Sequence, residues 1–286
     1  MRKIYLLLIL MSALLSAFAS CTPQVVDEHL VVDGWIEDGG YPIVIVTSSF
    51  PTLEKEWTQD DLAKHVLHLA TVTISDGDKT VTLVGQRNDD YFPPYIYSTT
   101  WMKGEAGRTY TLNVRYGKTE ASSVTTIPAP QNLDDLSVAP AKDGFTLNAR
   151  FTAMDESCYM FFTRREKIDS TYLPNMFSLI DGSAISSSPG GGSPVEVSLC
   201  PGFEALTPER YKYYFENGTS VSVRFCTVDR ETFEYWKGVE ESWFFSHNPF
   251  FPVTSGAPSN IRGGYGFWAG YGSTYYDLPA PPATGE

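Results

Sequence analysis

GYGFWAGYG, residues 264–272, is the stretch whose reading decides the fold. Gly264, Gly266 and Ala269 fit the spacing G-x-G-x-x-[GA] that elsewhere cradles a dinucleotide pyrophosphate. That fingerprint needs a strand before it, a helix after it whose N-terminus faces the phosphates, and an acidic residue about 20 positions on. Here GYGSTYYDLPAPPATGE follows and runs out in prolines with no helical period, so a nucleotide site is excluded. With a period of two, Tyr265, Phe267, Ala269 and Tyr271 share one face, while Gly264, Gly266, Trp268, Gly270 and Gly272 share the other. That is a strand with one aromatic face and one nearly bare face. Glycine inside a strand marks a bulge or the close approach of another backbone or ligand. The stretch therefore reads as a closing strand, with a contact surface formed by Trp268, Tyr265, Phe267 and Tyr271 as the alternative.

Working outward, most of the chain carries the same period. LVVDGWI, YPIVIVTSSF, LATVTISDGDKTVTLVG and RTYTLNVRYGKTEASSVTTI are rich in β-branched and aromatic residues. Asp76-Gly77 and Tyr116-Gly117-Lys118 are hairpin turns. After Ile127, PAPQN is a stiff connector whose prolines cannot join a ladder. GFTLNARFTA, CYMFFTRREKI, KYYF and SVSVRFCTV then continue the strand pattern, with Asn217-Gly218 expected to turn the last two into a hairpin. The fold class is mainly β: two β-sandwich domains of immunoglobulin or transthyretin-like type over 28–127 and 132–277, joined by 128–131, with one short helix in the second. Within the second domain SAISSSPGGGSP predicts a mobile loop at about 181–194, and residues 278–286 form a Pro-rich tail. Helix signals occur twice. TQDDLAKHVLH begins with Thr58 and Asp61 as a capping pair. DRETFEYWKGVEESW has Asp229 as N-cap and Phe233, Trp236, Glu240 and Trp243 at helical spacing, weakened at Gly238 by about 1 kcal/mol.

The N-terminus reports location. MRK precedes the apolar run IYLLLILMSALLSAFA at residues 4–19, shorter than the ~20 residues a spanning helix needs. It reads as a signal peptide over 1–20. The ending AFASC resembles the bacterial lipobox, with Phe18 where Leu is usual, so Cys21 is the expected lipid attachment site and residues 21–27 the tether. Several acyl chains at ~0.8 kcal/mol per buried methylene hold a protein on a membrane far more firmly than a single myristoyl chain. The whole chain has 21 basic and 34 acidic residues, a net charge of −13. Without Arg2 and Lys3 the balance is 19 against 34, or −15, which argues against nucleic acid as a partner.

LVVDGWI, ATVTISDGD, GEAGRTYTLNV, GKTEASS, NPF, SNI and GGYGFWAGY occur in an order that resembles an uncharacterised lipoprotein family of Bacteroidetes, known only as a domain of unknown function. Members of that family are commonly encoded beside TonB-dependent outer-membrane receptors. The resemblance implies an outer-membrane location and a receptor partner, and supplies no catalytic residues. The acidic residues Asp27 and Glu28 come later than the export signals that usually follow the lipidated cysteine.

Chemistry is sparse. There is no G-x-S-x-G elbow, S-x-x-K, H-E-x-x-H or Walker A loop, and the chain is expected to be no enzyme and to need no cofactor or metal. His65 and His68 would share a helix face without a third ligand. Asn88, Asp89 and Asp90 lack the alternating frame of a calcium loop. Asp169-Ser170-Thr171 resembles a short bacterial O-glycosylation sequon. Cys158, Cys200 and Cys226 permit at most one disulfide, and Cys158 and Cys226 read as small buried residues. The expected function is that of a non-catalytic accessory or binding lipoprotein beside a TonB-dependent receptor or its cargo. The alternatives are a fimbrial-type structural subunit, for which the arginine expected between Cys21 and the first strand is missing, and a surface glycan-binding protein.

Overall fold

The computed structural model describes residues 29–49, 59–185, 191–203, 211–246 and 256–281. The leader, Cys21 and its tether, Thr58, residues 186–190, the NPF motif and residues 282–286 lie outside these, as does the side chain of Trp243. In the first half the elements are β1 (Leu30–Glu37), β2 (Ile43–Ser48), α1 (Gln59–Ala63), β3 (Thr71–Ser75), β4 (Thr80–Thr82), β5 (Val84–Arg87), β6 (Tyr95–Ser98), β7 (Thr109–Tyr116) and β8 (Thr119–Thr126). The second half has β9 (Asp135–Ala141), β10 (Gly144–Met154), β11 (Cys158–Arg165), β12 (Leu173–Pro174), β13 (Ile180–Asp181), α2 (Gly182–Ile185), β14 (Gly192–Leu199), β15 (Val221–Val228), α3 (Arg230–Ser246) and β16 (Gly264–Leu278).

The chain is mainly β, and its strands form sandwich-like layers. A nine-stranded sheet runs in the order β12, β11, β15, β16, β1, β2, β6, β5, with β13 also on β11. A four-stranded sheet (β4, β3, β7, β8) and a three-stranded sheet (β14, β10, β9) complete the set. Both small sheets cover the same face of the long one. Leu30, Val32 and Ile36 of β1 meet Val72, Ile74, Leu112 and Val114 in the first core, which also takes Trp268. Tyr159 and Phe161 of β11 and Val221, Val223 and Phe225 of β15 meet Phe145, Leu147 and Phe151 in the second, against which Tyr276 and Leu278 pack.

β16 is therefore shared. Its first part pairs in parallel with β1, from Leu30 opposite Gly264 to Glu37 opposite Tyr271. Its second part pairs antiparallel with β15, from Thr227 opposite Gly272 to Val221 opposite Leu278. The expected placement of this strand within the second domain, 132–277, is corrected: both halves close on it. The bare face has a steric cause. A Cβ on Gly270 would lie 2.7 Å from the Thr126 carbonyl oxygen, and one on Gly272 would lie 2.4 Å from that of Pro128. The proline connector crosses β16 there, so only glycine fits.

Local signals held where short-range chemistry governs. Gly77 (φ 92°) turns β3 into β4 and Gly117 (φ 59°) turns β7 into β8. Asp229 caps α3, its carboxylate accepting the Thr232 N–H at 2.8 Å. Three expectations are corrected. The first helix ends at Ala63, so His65 and His68 share no helix face. Gly218 does turn the chain (φ 83°), but Phe215 bridges to Phe145 and β15 pairs with β11 and β16, so no hairpin forms at Asn217-Gly218. Of the loop expected at about 181–194, Gly192 to Pro194 already belong to β14, an edge strand held by β10 from Gly192 opposite Met154 onward.

Candidate functional site

The small sheets cover one face of the long sheet, and alternation sends the other side chains to the opposite face. From β1 these are Asp33, Trp35 and Glu37; from β11, Cys158, Met160 and Phe162; from β15, Arg224 and Cys226; from β16, Phe267, Ala269 and Tyr271. Helix α3 lies on part of this face, packing Phe233, Tyr235 and Trp236 against Phe267 and Tyr271. A cleft of about 120 Å³ remains between the helix, the sheet and the Thr171–Pro174 segment.

Aromatic rings make its walls. Tyr235 stacks on Phe267 at 4.4 Å and 20°, Trp236 meets Phe162 edge-on at 5.8 Å, and the Trp236 indole N–H donates to the Tyr271 hydroxyl at 3.0 Å. Each ring is thereby fixed by a neighbour or a hydrogen bond.

Two charged residues occupy different positions in the cleft. Arg224 is buried, its guanidinium 3.9 Å from the Phe162 ring centre and 5.2 Å from that of Tyr271. Its Nη1 donates to Glu37 Oε2 at 3.3 Å, and the same oxygen accepts the Ser273 hydroxyl at 2.9 Å. This cation is neutralised inside the fold. Asp33 differs, because solvent reaches its carboxylate while protein rings the cleft around it. That surrounding protein, replacing part of the bulk water, pushes its carboxyl up to about 6. No cation or hydrogen-bond donor among the described residues meets Asp33.

The expected site residues are dispersed. Trp268 is fully buried in the first core, its indole N–H donating to the Tyr110 carbonyl at 3.2 Å, so it presents no contact surface. Phe267 and Tyr271 line the cleft, and Tyr265, 53% exposed, is the one of the four on the surface. His65 meets the Ser48 hydroxyl at 3.0 Å and His68 packs on Tyr95. No cluster of His, Cys, Asp or Glu suited to a metal occurs among the described residues. Asp89 pairs with Arg87, Asp169 with Arg165, and the Ser170 hydroxyl donates to the Asp90 carbonyl. Cys158, Cys200 and Cys226 are free, and burial pushes the Cys158 and Cys226 thiols up to about 11, so they stay protonated at neutral pH.

Sequence reasoning missed Asp33, Arg224, Trp35 and Tyr235. A signal existed for the two charges: Asp33 interrupts LVVDGWI and Arg224 interrupts SVSVRFCTV, and a charge inside an apolar run is rarely placed in a core without purpose.

The terminal motif proves to be a clasp. Asn260 holds the backbone of Trp268 with both ends of its amide, accepting the N–H at 2.9 Å and donating to the carbonyl at 3.0 Å. Ile261 enters the first core, Arg262 bridges to Ser122, and Gly263 (φ 82°) lies where a Cβ would be 2.3 Å from the Glu120 carbonyl oxygen. A family model described as Domain of unknown function (DUF4249) matches residues 19–276. The chain belongs to that family. Comparison with curated proteins finds no match. The span shared with the family includes Cys21, the Asn260 clasp and every residue of the cleft.

Proposed function

We propose that this protein is a lipid-anchored outer-membrane component of a Bacteroidetes cell that binds a small ligand in the cleft and works beside a TonB-dependent receptor, without chemistry of its own. The observation that carries the binding reading is the cleft itself: aromatic walls fixed by mutual contacts, with Asp33 facing solvent and without a partner among the described residues. Concave aromatic sites with a few placed polar groups are the usual form of a ligand pocket. Two larger and more open depressions, of about 430 and 560 Å³, lie along β7 and β8 and have no aromatic lining residue among the described residues. Buried, protonated thiols and the neutralised Arg224 favour binding over catalysis. The anchor and the receptor rest on the AFASC ending and on the family resemblance.

The test is extraction of the full protein from its native membranes and capture of what it holds. A co-purifying outer-membrane receptor, together with release of a Cys21→Ala variant from the membrane pellet, is the expected result. Sedimentation of that variant with membranes contradicts the anchor, and capture of no receptor contradicts the partnership.

A further inference from the structure

We infer that the Asp33 end of the cleft is a binding site for a small organic ammonium cation, an inference that rests on reading the cleft as a ligand site. Three observations converge. The first is charge. Arg224 is tied to Glu37 at 3.3 Å and covered by the Phe162 ring, so Asp33 remains as the uncompensated charge of the cleft. The second is the ring environment. Asp33 stands on β1 opposite Phe267 of β16, Trp35 follows two residues along on the same face, and Tyr235 stacks on Phe267. A carboxylate in a cleft lined by aromatic rings suits an ammonium ion, because the face of an aromatic ring and a carboxylate attract the same charge. The third is size. The cleft, of about 120 Å³ and open to solvent, has room at its Asp33 end for a small cationic head whose remainder stays outside.

The raised carboxyl of Asp33 agrees with this, since a carboxylate crowded by protein and lacking a cation holds its proton more tightly. The titratable groups that share the cleft with it are Tyr172, Tyr235 from α3, Tyr271 from β16 and Arg224 from β15, and of these Tyr235 and Tyr271 interact with its charge. Burial raises both tyrosines, so they stay neutral over the range in which Asp33 titrates. Ammonium affinity is therefore expected to fall as pH drops through about 6.

The experiment uses the full lipidated chain in a non-ionic detergent and follows tryptophan fluorescence, because Trp35 and Trp236 line the cleft. The probes are choline and its uncharged isostere 3,3-dimethylbutan-1-ol. Choline is expected to saturate the signal with an affinity at least about tenfold above that of the alcohol, and Asp33→Asn to abolish the difference. Weakening of choline binding to the wild-type chain as pH falls provides the same test without a variant. Tyr235→Leu, which keeps the carboxylate, is expected to weaken choline more than the alcohol. Equal binding of both probes, unchanged in Asp33→Asn and across pH, overturns the ammonium assignment and leaves the cleft a site for neutral ligands. Binding of neither probe overturns the assignment also, while capture of a receptor from native membranes tests the wider reading separately.

Discussion

The two faces of the long sheet are built to opposite specifications. On one, Trp268 and its even-numbered neighbours meet apolar side chains from two smaller sheets, and glycines admit a crossing connector at van der Waals contact. On the other, the odd-numbered side chains of the same strand meet a single helix and leave a cleft holding a carboxylate and a buried ion pair. The contrast teaches how one sheet is closed on one side and left accessible on the other: two smaller sheets pack over the covered face, whereas the helix on the open face leaves Asp33 in contact with solvent.

Trp268→Ala is the substitution expected to cost most, about 3–5 kcal/mol, because it empties the space of a fully buried indole and leaves the Tyr110 carbonyl without its donor. Denaturant unfolding reads this directly. A loss below about 1 kcal/mol would mean that the covered face is loosely packed, and the contrast would break.

Glu37→Gln on the open face is expected to cost about 3 kcal/mol, as removing one partner leaves the Arg224 charge buried without compensation. Its midpoint in urea is the measurement. A near-neutral result would show that the Phe162 and Tyr271 rings hold the guanidinium unaided.

Asp229→Ala removes the cap of α3 and is expected to cost about 1 kcal/mol, with helical circular dichroism reduced more than β signal. Since α3 forms one wall of the cleft, probe binding should weaken before the sheet does.

The smallest effect is a dependence on pH, to which two carboxylates contribute with opposite signs. Asp33 has a folded value above its ordinary 3.8, so its contribution to stability is present at low pH and fades as pH rises toward about 6. Asp181 is held below the ordinary range by the Arg230 guanidinium, at 2.6 and 2.8 Å, so its contribution is present above about pH 4 and fades below it. Asp33→Asn should flatten the stability profile between about pH 4 and 6 and leave the acid limb intact. A profile unchanged in that window would show that solvent in the cleft screens Asp33 completely.

The alternation of GYGFWAGYG, the turns at Gly77 and Gly117 and the cap at Asp229 were legible because each rests on residues a few positions apart. Long-range partnership was not. KYYF and SVSVRFCTV have every local mark of a hairpin, yet β15 finds its partners in β11 and β16, and Phe215 finds Phe145. The cleft was hidden for the same reason. Its walls come from β1, β11, β15, β16 and α3, and only the register between the first strand and the last brings Asp33 beside Phe267. What the sequence did mark was the oddity of Asp33 and Arg224 inside apolar runs, a sign legible once the strands are known to be two-sided.

The central claim is that β16 joins both halves into one cooperative body, and native-state hydrogen exchange of the Trp268→Ala variant tests it most directly. Trp268 lies in the first core, whereas Phe151, Phe161 and Phe225 lie in the second. The account predicts that amides of β11 and β15 lose protection together with those of β1, β3 and β7, because unfolding of one half removes the strand on which the other closes. Full protection of β11 and β15 in a variant whose β1, β3 and β7 amides exchange faster would contradict it.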